Sequence, residues 1–406
     1  MIAQPDAGDS ESLEGVYEEG VPQHSEQLRR KTEFQAWHHP RKHYVRIHQW
    51  CHEVRALLDD LNLPEGSPFL YLTLPGNELL DVRTLHGVLA RHRRPLRYLG
   101  FNNAGPRTAD EQELNLSQNE VRSLEWVDRF SRVRQERLEA LAFERNAAHG
   151  EVLRHGPFHA INLDLCNSIC SRDPDDADGS HLGALRKLLE LQLGSTSPWL
   201  LFITTRVIPD EISARNRAGF MRAIASNLEA SDEFRQELAK LFDCEAADVE
   251  GSIEAGWGRA GVSLVRLFCT GIGKWLLSIL TNAAPPRQLG LQSALYYCVG
   301  GAAPDMVSIA LRCDTPKVDV HDPHGIFGVA AQAEALSETS IAVQLARSVA
   351  GCIDVDRLLA ANAEARDRVM RQSTDILASA RFERERYADW AAAQLAATPP
   401  PNAQAG

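Results

Sequence analysis

The sequence lacks an uninterrupted apolar run of the roughly 20 residues that a membrane-spanning helix needs. Its first residues are acidic and have no apolar core, so we predict no secretory signal there. Its eight cysteines are scattered, mostly inside apolar segments, and none forms a CxxC pair, which argues against a zinc site. We therefore expect a cytoplasmic protein with reduced thiols, no metal and no membrane partner.

Basic side chains are missing from the first 26 residues, which hold seven acidic residues and no Lys or Arg. We predict that residues 1–26 are a disordered acidic head carrying most of the net charge of −12. Two basic islands follow, at residues 29–46 and 91–97. Such islands can contact phosphate, so nucleic acid is a predicted partner of the basic N-terminal helix. The alternative is that both islands are solvated helix faces.

The rest of the chain divides into four predicted segments. They are an N-terminal helical extension (27–66), an α/β domain (67–330), a C-terminal helical region (331–396) and a disordered tail (397–406). The C-terminal helices are amphipathic, so they either pack on the α/β domain or bind a protein partner.

Apolar runs and helical patterns alternate through the α/β domain. The runs lie at 69–74, 96–101, 158–164 and 199–204, and predicted helices near 78–92 and 181–193 separate some of them. A capping box at Ser117 and Glu120 predicts the start of a long helix whose apolar stripe continues to Phe130. This alternation predicts a parallel sheet covered on both faces.

The end of that domain has a different pattern. Residues 294–314 contain two β-rich runs around the turn 300–305, which predicts an antiparallel hairpin. The predicted fold class is therefore α/β, with a Rossmann-like, mainly parallel sheet that ends in an antiparallel hairpin. Helical extensions flank it at the N- and C-termini.

The stretch LTLPGNELLD, residues 72–81, joins the first predicted strand to a helix. Strand, glycine turn and helix is the order in which nucleotide-binding α/β folds begin. Such a turn usually has two or three glycines, whereas this one has only Gly76.

Parallel βα units that finish in an antiparallel hairpin resemble the class I S-adenosylmethionine-dependent methyltransferase fold, here over residues 67–315. The order of elements also loosely resembles divergent methyltransferase-like proteins of bacterial defence and mobile-element loci, including three-Cys-motif partner proteins. The first resemblance implies S-adenosylmethionine as the cofactor and methyl transfer from its sulfonium to a nucleophile on a substrate.

The resemblance assigns the loop after the first strand to the methionine part of the cofactor. Pro75 and Gly76 are the residues of that loop, and Glu78 or Asp81 is implied to bind the cofactor's ammonium group. The alternative for Glu78 is a favourable acid in the first turn of a helix.

The resemblance also assigns a carboxylate after the second strand to the ribose hydroxyls, where this sequence has Asn102 and Asn103. Asn donates and accepts hydrogen bonds without a charge, and it also suits a turn.

Asp164 stands at the predicted carboxyl end of a strand, where open α/β sheets bind ligands. It is implied to be a base or a cofactor ligand; the alternative is a helix cap. The proline and aromatic residues of base-amine methyltransferases are absent there.

Other constellations have simpler interpretations. Cys166, Cys170 and His181 have loose metal spacing without a CxxC pair, and five histidines between 38 and 52 predict a basic, partly solvated surface. The segment 271–274, GIGK, departs from the phosphate-loop pattern and predicts helix packing. A loop at 321–325, HDPHG, follows the hairpin.

The leading function is an S-adenosylmethionine-dependent methyltransferase; the alternative is a non-catalytic, partner-binding scaffold, in a bacterial defence or mobile-element system.

Overall fold

The computed structural model describes residues 30–173, 175–301, 303–315 and 337–397. The acidic head, the loop at 321–325 and the last nine residues lie outside these ranges. The strands are β1 (Phe69–Thr73), β2 (Leu96–Phe101), β3 (Arg132–Arg134), β4 (Ala160–Asp164), β5 (Trp199–Arg206), β6 (Gln288–Tyr297), β7 (Met306–Asp314) and β8 (Ile353–Asp354).

Fourteen α-helices are described. They are α1 (Pro40–Tyr44), α2 (Cys51–Asp60), α3 (Leu80–Arg91), α4 (Ala109–Arg122), α5 (Ala147–His155), α6 (His181–Gln192), α7 (Ala214–Ala230), α8 (Asp232–Phe242), α9 (Val249–Gly256), α10 (Val262–Thr281), α11 (Glu338–Ala350), α12 (Val355–Ala361), α13 (Ala363–Ser379) and α14 (Arg384–Ala397). A π-helical segment, Val45–Trp50, joins α1 to α2.

The eight strands form one sheet in the order β3-β2-β1-β4-β5-β7-β6-β8. The first five strands are parallel to one another, and β7 runs antiparallel between β5 and β6. The hairpin therefore adds its second strand, β7, directly to the parallel series. The predicted fold class, a Rossmann-like sheet ending in an antiparallel hairpin with helices at both ends, is confirmed.

Each face of the sheet has its own hydrophobic cluster. On the first face, which we call the front face, Tyr71, Ala160 and Phe202 pack with residues of the π-helical segment, α2, α3, α4, α12 and α13. On the back face, side chains such as Ile161 and Ile203 pack with α5 to α11. Strand side chains alternate between the faces, which is why apolar runs without polar interruption mark strands that are covered on both sides.

The helix α10 is long and apolar enough to cross a membrane by length and composition alone. Two thirds of it is buried inside the fold. It packs against α7, α11 and β6, so within the described residues it is a core helix of the back face. A Cβ at Gly271 would lie 2.7 Å from Phe220 and one at Gly273 would lie 2.8 Å from Leu345. The prediction that the GIGK glycines serve helix packing is confirmed.

Two details of the predicted helices differ from the structure. Within the predicted helical extension (27–66) the first α-helix, α1, begins only at Pro40, because the residue before a proline favours extended backbone. The long helix was expected from Ser117, which instead lies inside α4. The cap is Thr108, whose hydroxyl accepts a hydrogen bond from the Glu111 backbone at 3.2 Å. At Ser117 and Glu120 the helix continues in both directions, so no backbone N–H group is left free for a capping box to satisfy.

The two ends of the described chain pack against each other. Phe34 stacks on Phe382 with ring centroids 5.4 Å apart, and the Tyr387 hydroxyl donates to the His38 carbonyl at 2.8 Å. The Lys31 backbone pairs with both Arg381 and Glu383. The N-terminal extension is thereby held over the front face of the sheet.

Candidate functional site

The carboxyl ends of β1, β2 and β4 meet at one edge of the sheet, because these strands are neighbours and parallel. We call this edge the cofactor edge. It carries Pro75 and Gly76 after β1, Asn102 and Asn103 after β2, and Asp164 at the end of β4. The residues predicted on three separate segments of the sequence are thus brought to one edge.

The backbone of the loop after β1 is strained. Leu79, which precedes α3, has a φ of 53°, a left-handed conformation that is rare for a large side chain. Pro75 is buried against Gly100, where a Cβ would lie only 2.9 Å from the proline ring. Backbone strain of this kind is concentrated at ligand sites, so this loop is a candidate binding segment.

Gly76 itself is not required by the fold. Its φ is not in the left-handed range, and a Cβ there would meet only the Glu78 carboxylate, at an ordinary 3.7 Å. The residue is exposed at the cofactor edge. A glycine that neither turn geometry nor packing demands leaves room for a ligand to approach the backbone closely.

Asn102 joins two loops of the edge. Its side-chain amide donates to the Pro75 carbonyl at 2.8 Å and to the Asn77 side chain at 3.2 Å, while its oxygen accepts from the Ala104 backbone at 2.7 Å. Both the nitrogen and the oxygen of this amide therefore form hydrogen bonds within the protein. Asn103 beside it is exposed and is the residue of this pair that faces solvent.

Asp81 points away from the cofactor edge and into the front face. Its carboxylate accepts hydrogen bonds from Thr73 at 2.5 Å and Tyr71 at 3.2 Å. Burial raises the pKa of Asp81, and the bond from Thr73 opposes that shift. Of the two acids that the resemblance offered for an ammonium group, Asp81 is thus committed to internal contacts.

Glu78 has a different environment. Its carboxylate makes no hydrogen bond within the described part of the chain, and its side chain is 13% exposed. The nearest basic groups are the Lys31 ammonium, with Nζ at 3.7 Å, and the imidazole of His38, with Nε2 at 3.9 Å. Glu78 is therefore the acid of the cofactor edge that is able to accept a ligand cation.

Asp164 forms an ion pair with Lys42, a contact that the sequence did not suggest. The two residues are 122 positions apart. Lys42 is buried, and burial lowers its pKa although the Asp164 carboxylate acts in the opposite direction. Lys42 Nζ also lies 5.0 Å from the centre of the Trp50 ring. The pair places a carboxylate at the end of β4 beside an amine that releases its proton more readily than a free lysine.

The basic N-terminal helix turns its polar residues inward. Lys42, Arg46 and Gln49, together with His38, His39 and His43, are buried. The prediction that this island is a solvated surface is therefore wrong for these residues, and its contact with nucleic acid stays a prediction. His52 is exposed and His48 is half-buried, in agreement with a partly solvated surface.

Burial sets the protonation of these histidines. It lowers the pKa of His38 and of His39 to about 3, with further contributions from Arg46 and Lys31 to His38 and from Arg41 to His39. The pKa of His43 is lowered in the same way. The imidazoles are consequently neutral at physiological pH.

A layer of polar side chains lies between the N-terminal helix and the sheet. Ser308 on β7 donates to Gln49 at 2.6 Å and accepts from Thr204 at 2.8 Å and from Trp50 at 3.3 Å. Gln49 and Trp50 belong to the π-helical segment, a geometry often found at functional sites. Further along the layer, Asn162 donates to Tyr71 at 2.9 Å.

This layer is closely packed. Beside Arg46, Trp50, Tyr71 and Asp81 lies a cavity of about 10 Å³, which has room for roughly one water molecule. A ligand as large as a nucleotide does not fit there. At the outer side of the cofactor edge, by contrast, Gly76, Asn103 and Asp164 reach solvent.

The whole of this architecture falls within one sequence family. The PP_RS20740-like family model matches residues 31–392. The chain belongs to the PP_RS20740-like family. No curated protein and no solved structure shows a significant match to the chain.

The matched region, 31–392, contains both the described sheet and the N- and C-terminal helices that cover its front face. Among the described residues, no three His, Cys, Asp or Glu side chains come together as a metal site. Cys170 is buried and Cys166 is exposed, while His181 lies 3.6 Å from Glu139.

Proposed function

We propose that the chain is an S-adenosylmethionine-dependent methyltransferase with an atypical cofactor loop. The observation that carries the proposal is the sheet: a parallel series in the order β3-β2-β1-β4-β5, followed by β7 antiparallel between β5 and β6. This is the arrangement of the class I methyltransferase fold that the sequence resembles. The exposed thiol of Cys166 and the absence of described disulfides support a cytoplasmic location.

The cofactor edge offers a group for each part of the cofactor. Gly76 allows close approach of the methionine part, and the Glu78 carboxylate is available to its ammonium group. Asn103 is the exposed residue for the ribose hydroxyls, since the Asn102 amide holds the loops together. The bound cofactor would supply an electrophilic methyl group on a sulfonium.

Asp164 is the proposed proton acceptor for the nucleophile of the substrate. It is partly exposed at the end of β4, and Lys42 holds its carboxylate from the inner side. The ion pair with Lys42 fixes the direction of the Asp164 carboxylate at the end of β4. Lys42 is thus a positioning residue for Asp164.

Calorimetric titration with S-adenosylmethionine and S-adenosylhomocysteine tests this proposal. We expect micromolar binding to the wild-type chain, and loss of binding in Gly76→Arg, whose side chain would fill the approach to the loop. Gly87→Arg is the matched control, because a Cβ at Gly87 in α3 meets nothing within 4 Å and the residue lies away from the edge. Equal loss in both variants, or no binding of the wild type at millimolar ligand, would contradict the proposal.

A non-catalytic scaffold is the second candidate, and one observation favours it. The Asn102 amide, at the position where the resemblance implies a ribose ligand, is engaged with Pro75 and Asn77. A protein of this kind would use the same fold to bind a partner, in the defence or mobile-element setting that the resemblance suggests. Absence of cofactor binding together with a stable fold is the result expected from it.

A further inference from the structure

A second basic surface lies at the opposite edge of the sheet from the cofactor edge. We call it the amino-edge patch and define it as Arg91, Arg93, Arg97, Arg129 and Phe130. Arg91 ends α3, Arg97 is the second residue of β2, and the last two residues come just before β3. Because the amino ends of parallel strands share an edge, these segments meet there.

An exposed aromatic ring lies at the centre of this patch. Phe130 is 53% exposed, and the guanidinium groups of Arg129 and Arg97 lie 4.8 Å and 5.2 Å from its centroid. Asp128 fixes the arrangement: it accepts from the Phe130 backbone at 2.8 Å and from Arg97 at 2.9 Å. The ring is therefore held in place while about half of its surface remains exposed to solvent.

Asp128 pairs with Arg97, but the fold leaves most of the charge of the patch without an ion pair. Residues 91–97 contain four arginines and no acidic residue. Within the described part of the chain, Arg91, Arg93 and Arg129 are exposed and take part in no ion pair or hydrogen bond, whereas Arg94 donates to the Pro64 carbonyl. Three exposed arginines thus lie at this edge of a chain whose net charge is −12, and Arg129 adjoins the Phe130 ring.

We propose that the amino-edge patch binds single-stranded nucleic acid. Phe130 stacks with a base, and Arg91, Arg93 and Arg129 contact the phosphates on either side. The aromatic ring favours this partner over an acidic peptide, which would use the arginines but offers no flat face for the ring. It favours a single strand over a duplex, whose bases are already stacked on each other. The proposal is independent of methyl transfer, because the patch and the cofactor edge lie at opposite ends of the strands.

Fluorescence anisotropy tests it directly, with the full chain titrated into a fluorescein-labelled oligothymidylate of about 16 nucleotides. We expect binding that weakens steeply between about 50 and 200 mM salt. Phe130→Ala should weaken it about tenfold, and Arg129→Gln should lower the salt dependence by about one released ion. Phe143→Ala is the matched control, since Phe143 is 43% exposed but lies outside the patch.

Three results would overturn the proposal. They are absence of binding by the wild type at low salt, equal affinity of the Phe130→Ala and Phe143→Ala variants, and displacement of the oligonucleotide by polyglutamate at equal charge concentration. The last result would identify a general site for acidic polymers. Circular dichroism melts of the variants verify that each is folded, which the exposure of the altered side chains leads us to expect.

Discussion

Acidification is expected to destabilise the fold through His38 by about 2 kcal/mol between pH 7.5 and pH 5. Burial, with Arg46 and Lys31 nearby, lowers the pKa of this residue from 6.5 to about 3. The Glu78 carboxylate, 3.9 Å from Nε2, is too distant to form a compensating hydrogen bond. The folded chain therefore keeps the imidazole neutral where the unfolded chain protonates it.

The direction of the effect follows from proton binding. Below pH 6.5 the unfolded state binds a proton at His38 that the native state excludes, so the free energy of unfolding falls as the pH falls. The loss begins near pH 6.5 and is complete below about pH 3. At pH 5 the unfolded residue is almost fully protonated, and a gap of about 1.5 pH units corresponds to about 2 kcal/mol.

Urea denaturation of the wild type and of His38→Asn at pH 7.5 and pH 5 isolates this contribution. Asparagine retains an acceptor for the Gln35 backbone, which donates to His38 Nδ1 at 3.0 Å, but it does not titrate. The variant should be less stable at both pH values, because it loses the packing of the ring on Phe382. From pH 7.5 to pH 5, the free energy of unfolding of the variant should fall by about 2 kcal/mol less than that of the wild type. Identical pH dependence of the two proteins would refute the reasoning.

Two further predictions concern the cofactor edge. Gly100→Ala should lower the free energy of unfolding by about 1–3 kcal/mol in urea denaturation, because its Cβ would lie 2.9 Å from the Pro75 ring. It should also weaken S-adenosylmethionine binding in calorimetry. Unchanged stability would show that Pro75 moves freely. Asp164→Asn should cost about 1–3 kcal/mol, because Lys42 loses its carboxylate. Lys42→Met should lower the free energy of unfolding less in the Asp164→Asn background than in the wild type. Strict additivity of the two losses would contradict a coupled pair.

The sheet was predictable because its signal is local. The four apolar runs became β1, β2, β4 and β5, and the turn at 300–305 lies between β6 and β7. Burial on both faces leaves few polar residues in such strands, so the pattern survives without knowledge of the neighbours. β3 carries only three residues, Arg-Val-Arg, at the edge of the sheet, and β8 has two residues. Strands this short and polar have no apolar run to detect.

The positions of Gly76, Asn102 and Asp164 at one edge were predictable from the parallel series, but their contacts were not. The Asn102 amide could have faced a ligand or the protein, and only the geometry shows that it holds the Pro75 loop. Asp81 was placed with Glu78 as an acid of the edge, yet it turns inward to Thr73. Asp81 lies in the first turn of α3, so its direction depends on which face of this helix packs on the sheet, whereas Glu78 precedes the helix.

The inward basic helix was missed for a physical reason that also suggests how to find such helices. Lys42, Arg46 and Gln49 are spaced by four and three residues, so they form a polar stripe on one face beside the apolar stripe that includes Trp50. Charged stripes usually face water, because burying a charge without a partner is costly. For Lys42 the partner is Asp164, which lies 122 residues away, whereas Arg46 donates to the Trp37 carbonyl at 3.0 Å. The packing of the chain ends holds the helix in place. A polar stripe at helical spacing is therefore compatible with burial when other segments of the chain supply a partner for each charge.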